Sequence, residues 1–226
     1  MVDAGPRTRD HRERFGLLLG AILTSFALQG ILTPEKWEQV LISALLGVTL
    51  LLALWTADAK PRLMRPTAVV VAAVILLSIA ETASGNVDGG AVRMANALLI
   101  ALAPAAIIIG VIRSLRARQA VTLEAVFGVL CVYILVGMFF AFVYGSIDRL
   151  GGNPFFAGGQ QASMAQCLYF SFTTLTTVGY GDLTARSNLG HTLSVSEALL
   201  GQIYLVTVVS LIVANLGRGR VASRPQ

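Results

Sequence analysis

Gln161-Ala-Ser-Met-Ala-Gln-Cys-Leu-Tyr-Phe-Ser-Phe-Thr-Thr-Leu-Thr-Thr-Val-Gly-Tyr-Gly-Asp182 is where a reading of this chain begins. Its first part, Gln161 to Thr174, is apolar and aromatic with helical spacing, yet only 14 residues long. A helix needs about 20 residues to cross a hydrocarbon core of about 30 Å. A segment this short enters a membrane and returns. It belongs to an uncharged run of 32 residues, Leu150 to Gly181, between two longer apolar segments. Irregular backbone at membrane depth is tolerated only when buried in protein or lining a water-filled cavity. A short re-entrant helix followed by Thr176 to Asp182 therefore predicts a pore. The preceding Gly151-Gly152-Asn153-Pro154 to Gly158-Gly159 is turn-rich, and an exposed surface loop is expected there.

The rest of the chain supplies the membrane. Apolar residues make up 55% and charged residues 13%, against roughly 25% charged in a soluble domain. Uncharged runs mark the spans: Phe15–Thr33, Gln39–Ala57, Pro66–Ala80, Met94–Ile112, Ala125–Ile147 and Ala198–Gly217. The fold class expected is an all-α membrane protein, with six transmembrane helices plus a re-entrant pore helix and filter loop. Four parts follow: a cytoplasmic N-terminal arm (1–14), a four-helix transmembrane domain (15–120), a pore domain (121–217) and a short cytoplasmic tail (218–226). A signal peptide is the alternative for the first run, but the run is long and no Ala-x-Ala site ends it before Pro34.

Positive charge sets the orientation. Arg7, Arg9, Arg12 and Arg14 precede the first span; Lys60, Arg62 and Arg65 lie between the second and third; Arg113, Arg116 and Arg118 follow the fourth. Arg218, Arg220 and Arg224 follow the sixth. The other connections are poor in Lys and Arg, so both termini are expected in the cytoplasm. The net charge of +5 then reports topology and contact with anionic lipid headgroups, and nucleic acid is not an expected partner. A bacterial inner (plasma) membrane suits the Ala/Gly/Arg-rich composition. Cys131 and Cys167 stand in apolar surroundings and are expected as buried free thiols.

The segment 176–182 has a physical task in such a pore: to replace the hydration oxygens of a cation with backbone carbonyls. Aiming successive carbonyls to one side needs φ of alternating sign. Glycine takes φ > 0 at little steric cost, which accounts for Gly179 and Gly181 at alternate positions. Carbonyl rings of Thr177, Val178, Gly179 and Tyr180, above the Thr177 hydroxyl, would provide successive ion sites. One chain supplies one strand of such a structure, and closed cyclic symmetry is how identical subunits supply the others. A homotetramer is expected.

Residues 162–182 resemble the pore helix and selectivity filter of the potassium channel family. The resemblance extends over roughly 121–217, with Gly201 placed 20 residues after Gly181, where the family's inner helix often carries a hinge glycine. It implies passive, potassium-selective conduction, with K+ bound by Thr177, Val178, Gly179, Tyr180 and Gly181, and no other cofactor. Thr176, Asp182, Tyr169 and Thr174 are the filter supports it implies: Tyr169 could bond Asp182, and Thr174 could receive the Tyr180 hydroxyl. Departures are Tyr169 and Phe170 in place of paired tryptophans, Thr173 in place of a Glu found in some members, and Ala185 in place of a frequent Pro. They imply a less braced filter.

Below the filter, Leu205, Val209 and Val213 recur every four residues and share a helix face. In this family that face lines the cavity, so together with Gly201 they are the candidate gate and hinge. Glu197, near the outer end of the last span, is a functional candidate because intramembrane carboxylates are costly. His191 is a possible pH-sensitive group. A steep voltage sensor is not expected, because the fourth span carries Arg93 near its outer end and then no charge before Arg113. The rivals are a less selective cation pore, an ion transporter built on fused pore loops, and a non-conducting scaffold. An enzyme is the least supported class, since no catalytic or metal-ligating cluster stands out.

Overall fold

The computed structural model describes the backbone of residues 6–31, 38–57, 61–84, 90–118 and 123–221. Side chains are described for all of these except 6–13, 38, 61, 63, 109–118, 123–125, 209 and 211–221. Among the described residues the chain is all-α. Seven helices run in the order α1 (Pro6–Ile31), α2 (Glu38–Thr56), α3 (Pro61–Ala83), α4 (Gly90–Arg118), α5 (Leu123–Leu150), α6 (Met164–Leu175) and α7 (Asn188–Val221).

Five of them are long and apolar enough to cross a membrane, over Arg14–Ile31, Gln39–Thr56, Met64–Ala83, Gly90–Ile108 and Val126–Leu150. The sixth expected span, Ala198–Gly217, falls within the 34-residue α7, much of whose side-chain structure lies outside the described residues. α6 is 12 residues, about 18 Å at 1.5 Å per residue, too short to cross.

Two of the four N-terminal helices lean on the last three helices. α4 lies along α5, and α1 touches both α5 and α6. α2 packs against α1, α3 and α4, while α5, α6 and α7 pack against one another. The α5–α6 approach depends on Gly137, where a Cβ would stand 2.8 Å from the Phe172 ring. Several buried hydroxyls and amides are hydrogen-bonded, as lipid favours. Thr49, Thr56 and Thr82 bond the carbonyl one turn back, and Asn96 on α4 donates to Ser43 on α2 at 3.0 Å. Outward-facing apolar residues such as Val69, Leu76 and Leu98 are more than 60% exposed, a surface suited to lipid.

Two local expectations change. The arginines Arg113, Arg116 and Arg118 belong to α4, which continues through Pro104 as far as Arg118; the proline removes one hydrogen bond without ending the helix. The turn-rich stretch after α5 is only partly a surface loop. Phe155, Phe156 and Ala162 are buried, because the Asp148 carboxylate draws the loop inward. One of its oxygens accepts the Phe155 N–H at 2.8 Å and the other the Ala162 N–H at 3.0 Å.

Candidate functional site: the re-entrant segment

α6 starts where its sequence says it should. Ser163 caps the helix: its hydroxyl accepts the Gln166 N–H at 3.1 Å, and the Gln166 side chain accepts the Ser163 N–H at 3.0 Å. This reciprocal pair satisfies two of the donors left open at a helix start. On the far side of the filter the chain is stapled to the loop before α6. Ala157 N–H donates to Thr184 O at 3.0 Å and Arg186 N–H to Phe155 O at 2.8 Å, an antiparallel bridge of Phe156 with Ala185. The segment 157–184 is thereby closed at its base.

After Leu175 the backbone turns sharply. Thr177 N–H donates to Thr174 O at 2.9 Å; Val178 and Gly179 N–H both donate to Thr173 O, at 2.9 and 3.1 Å. Thr177, Gly179 and Gly181 have φ of 59°, 52° and 80°. Positive φ therefore alternates through residues 177–181. Two of the three positions are the glycines that the sequence marks; the third, Thr177, carries a side chain in a region that L-residues seldom occupy. Among the described residues no backbone N–H donates to the carbonyls of Thr177, Val178, Gly179 or Tyr180. The amides are turned back to the helix end and the carbonyls are left uncommitted.

The expected supports divide into those that interact within this chain and those that do not. Tyr169 stacks on Tyr180, with ring centroids 6.2 Å apart and planes 4° from parallel, and interacts electrostatically with the Asp182 side chain. Thr176 closes α6 by returning its N–H and hydroxyl to Phe172 O at 3.0 and 2.6 Å. Thr174 engages Thr177 through its carbonyl, and its hydroxyl makes no described bond to Tyr180 within the subunit. The Phe170 ring packs edge-on against Tyr144, Phe155 and Phe156, at centroid distances of 5.3, 5.9 and 5.3 Å, while the Phe170 carbonyl accepts the Thr173 hydroxyl at 3.0 Å.

Behind α6 lies a polar centre in which only Glu197 was foreseeable. Glu197 on α7 is fully buried. The Tyr144 hydroxyl of α5 donates to its Oε2 at 2.6 Å, and the Ser171 hydroxyl of α6 bonds its Oε1. Ser171 Oγ also lies 2.6 Å from Gly137 O, so its single proton has two acceptors within reach. One carboxyl group thus joins all three pore helices. Tyr144 and Ser171 carry no signal in the sequence beyond being hydroxyls in apolar runs.

Gly201 and the helix end meet closely. A Cβ at Gly201 would stand 2.6 Å from Leu175 O, so only glycine lets α7 approach the last carbonyls of α6. α7 runs unbroken through this position. The next residue, Gln202, donates from Nε2 to Thr177 Oγ1 at 3.2 Å. Leu175 O also lies 3.3 Å from the Tyr133 hydroxyl of α5. Of the gate candidates, Leu205 is 38% exposed, and the side chains of Val209 and Val213 lie outside the described residues. Arg93, at the start of α4, is buried against the pore, 3.4 Å from both Gly145 O and Ala162 O. Cys131 and Cys167 are buried free thiols. His191 Nε2 contacts Ala185 O at 2.7 Å.

The family model described as "Ion channel" matches residues 129–218, from within α5 to near the end of α7. Protein LctB of Geobacillus stearothermophilus is 31% identical over 111 residues, which is 46% of this chain and 82% of that protein.

Proposed function

The chain belongs to the ion-channel family, and we propose that it is a potassium-selective channel whose path is formed by Thr177 to Gly181 of four identical subunits. Membership supports a multi-pass membrane protein for ion passage. The observation that carries the potassium reading is the alternation of positive φ at Thr177, Gly179 and Gly181, with amides turned away and carbonyls uncommitted. Four such strands would surround each dehydrated K+ with eight oxygens, drawn from the carbonyls of Thr177 to Tyr180 and the Thr177 hydroxyl. α6 ends at the foot of this column, where the partial negative charge of its last carbonyls favours a cation.

Assembly is supported by what one subunit leaves bare. Val178 and Tyr180 are 52% and 71% exposed, as are apolar residues of α7 such as Leu199 and Ile203, at 57% and 59%. Neighbouring subunits would cover them. Both termini face the cytoplasm of a plasma (inner) membrane in this reading, with lipid around the outer helices. Leu205, Val209 and Val213 would line the inner passage, where rings of apolar side chains gate by excluding water, while Gly201, packed on the end of α6, is the hinge. Voltage dependence is weak, because Arg93 is already buried against the pore and no charge follows it before Arg113.

Ion flux into liposomes holding the purified protein tests the reading, with Gly179→Ala as control. Gly179 has open space around it but a φ of 52°, so alanine acts on backbone conformation and not by collision. Potassium flux exceeding sodium flux, and lost in the variant, is expected. Equal fluxes would replace this reading with a non-selective cation pore, and no flux in the wild type would count against conduction.

A further inference from the structure

Thr177 faces two demands that conflict. The innermost ion site needs a hydroxyl, which glycine lacks, while the carbonyl direction needs positive φ, which threonine resists. Its own backbone supplies one restraint, the N–H to Thr174 O at 2.9 Å. The second comes from another helix: the Gln202 amide, donating to Oγ1 at 3.2 Å. Gly201 makes this reach short by letting α7 sit against Leu175 O, one residue before Gln202. A primary amide is an expensive residue in a span whose neighbours are Ile203 and Val206, which argues for a specific task there.

We propose that Gln202 is a positioning residue for the innermost cation site, fixing the Thr177 hydroxyl so that its free lone pair faces the ion path. The proposal rests on reading 176–182 as a filter. A hydroxyl oxygen has two lone pairs and one proton. With one lone pair engaged by the amide, the side chain can no longer rotate freely. The other lone pair then points where the column of carbonyls continues. Without the amide, Thr177 keeps its backbone restraint but loses its rotamer restraint, so the lowest ring of oxygens loosens while the rings above it stay.

Block by Ba2+ from the cytoplasmic side reads that lowest ring, since Ba2+ has nearly the size of K+ and twice its charge. The experiment compares wild type, Gln202→Met, Thr177→Val and the double variant, all as reconstituted full-length protein. The expected result is block weakened by about fivefold or more in Gln202→Met, the factor for one hydrogen bond of ordinary strength. In the Thr177→Val background, Gln202→Met should add nothing further. A change below twofold, or an equal change in both backgrounds, would overturn the proposal. Where a variant carries no current, calorimetric titration of the purified protein with Ba2+ gives the same ratios and decides it on the same terms. A wild type without selective potassium current fails the filter reading itself, and the positioning role with it. A selective wild type with unaltered block in Gln202→Met fails the positioning role alone.

Discussion

Breaking the contact between Tyr144 and Glu197 has an effect that can be worked from geometry. Both side chains are fully buried, and the hydroxyl–carboxyl distance is 2.6 Å. Tyr144→Phe removes the donor and leaves Oε2 of Glu197 without a partner. Glu197→Leu removes the acceptor and strands the Tyr144 hydroxyl, while Ser171 keeps Gly137 O at 2.6 Å. A buried polar group left unpaired costs about 1–3 kcal/mol, so each single variant should lose about 2 kcal/mol per chain. For a chain of 226 residues that is a fall in Tm of about 4–8 °C. The double variant leaves an apolar pair with nothing stranded, and replacing both partners together is close to neutral. Thermal unfolding of the four detergent-solubilised proteins should therefore show a coupling of about 4 kcal/mol. Losses that add within about 0.5 kcal/mol would refute the idea that this centre works as a unit.

Other consequences are simpler. Gly201→Ala places a methyl 2.6 Å from Leu175 O, a backbone atom that cannot swing aside, and should cost about 1–3 kcal/mol with loss of flux. Gly16→Ala, within α1 and with nothing within 4 Å, should cause no loss and should stabilise by up to about 1 kcal/mol in the same unfolding assay. Asp148→Asn leaves one oxygen for two amides, so the Ala162 or Phe155 N–H is freed; faster hydrogen exchange at these positions, and easier proteolysis between 151 and 162, are expected. Tyr169→Phe keeps the stacking on Tyr180 but removes the hydroxyl that interacts with Asp182, and current should decay faster under sustained opening.

Much of this was legible because it follows from chain chemistry at short range. Expected from Gln161 to Thr174, the re-entrant helix occupies Met164–Leu175, shifted at its start by the Ser163 cap. Gly179 and Gly181 announced positive φ because no other residue takes it cheaply. Thr177 did not, since nothing in a threonine signals a left-handed backbone; the turn of its N–H onto Thr174 O imposes it. The uncharged loop concealed Phe155 and Phe156, because its glycines and proline suggested exposure while the anchoring carboxylate, Asp148, looked like the end of a span. Glu197 was conspicuous as a charge in an apolar helix, but its partners lie 53 and 26 residues away and are ordinary hydroxyls. Gln202 was one polar residue among several in the last span, and only the approach at Gly201 distinguishes it.

The reversal potential of the reconstituted protein, with potassium on one side of a bilayer and sodium on the other, tests the central claim most directly. A reversal displaced by tens of millivolts in the direction of potassium preference is the predicted result. A reversal within a few millivolts of zero would contradict selectivity and leave an ion channel whose Thr-Val-Gly-Tyr-Gly segment does not discriminate.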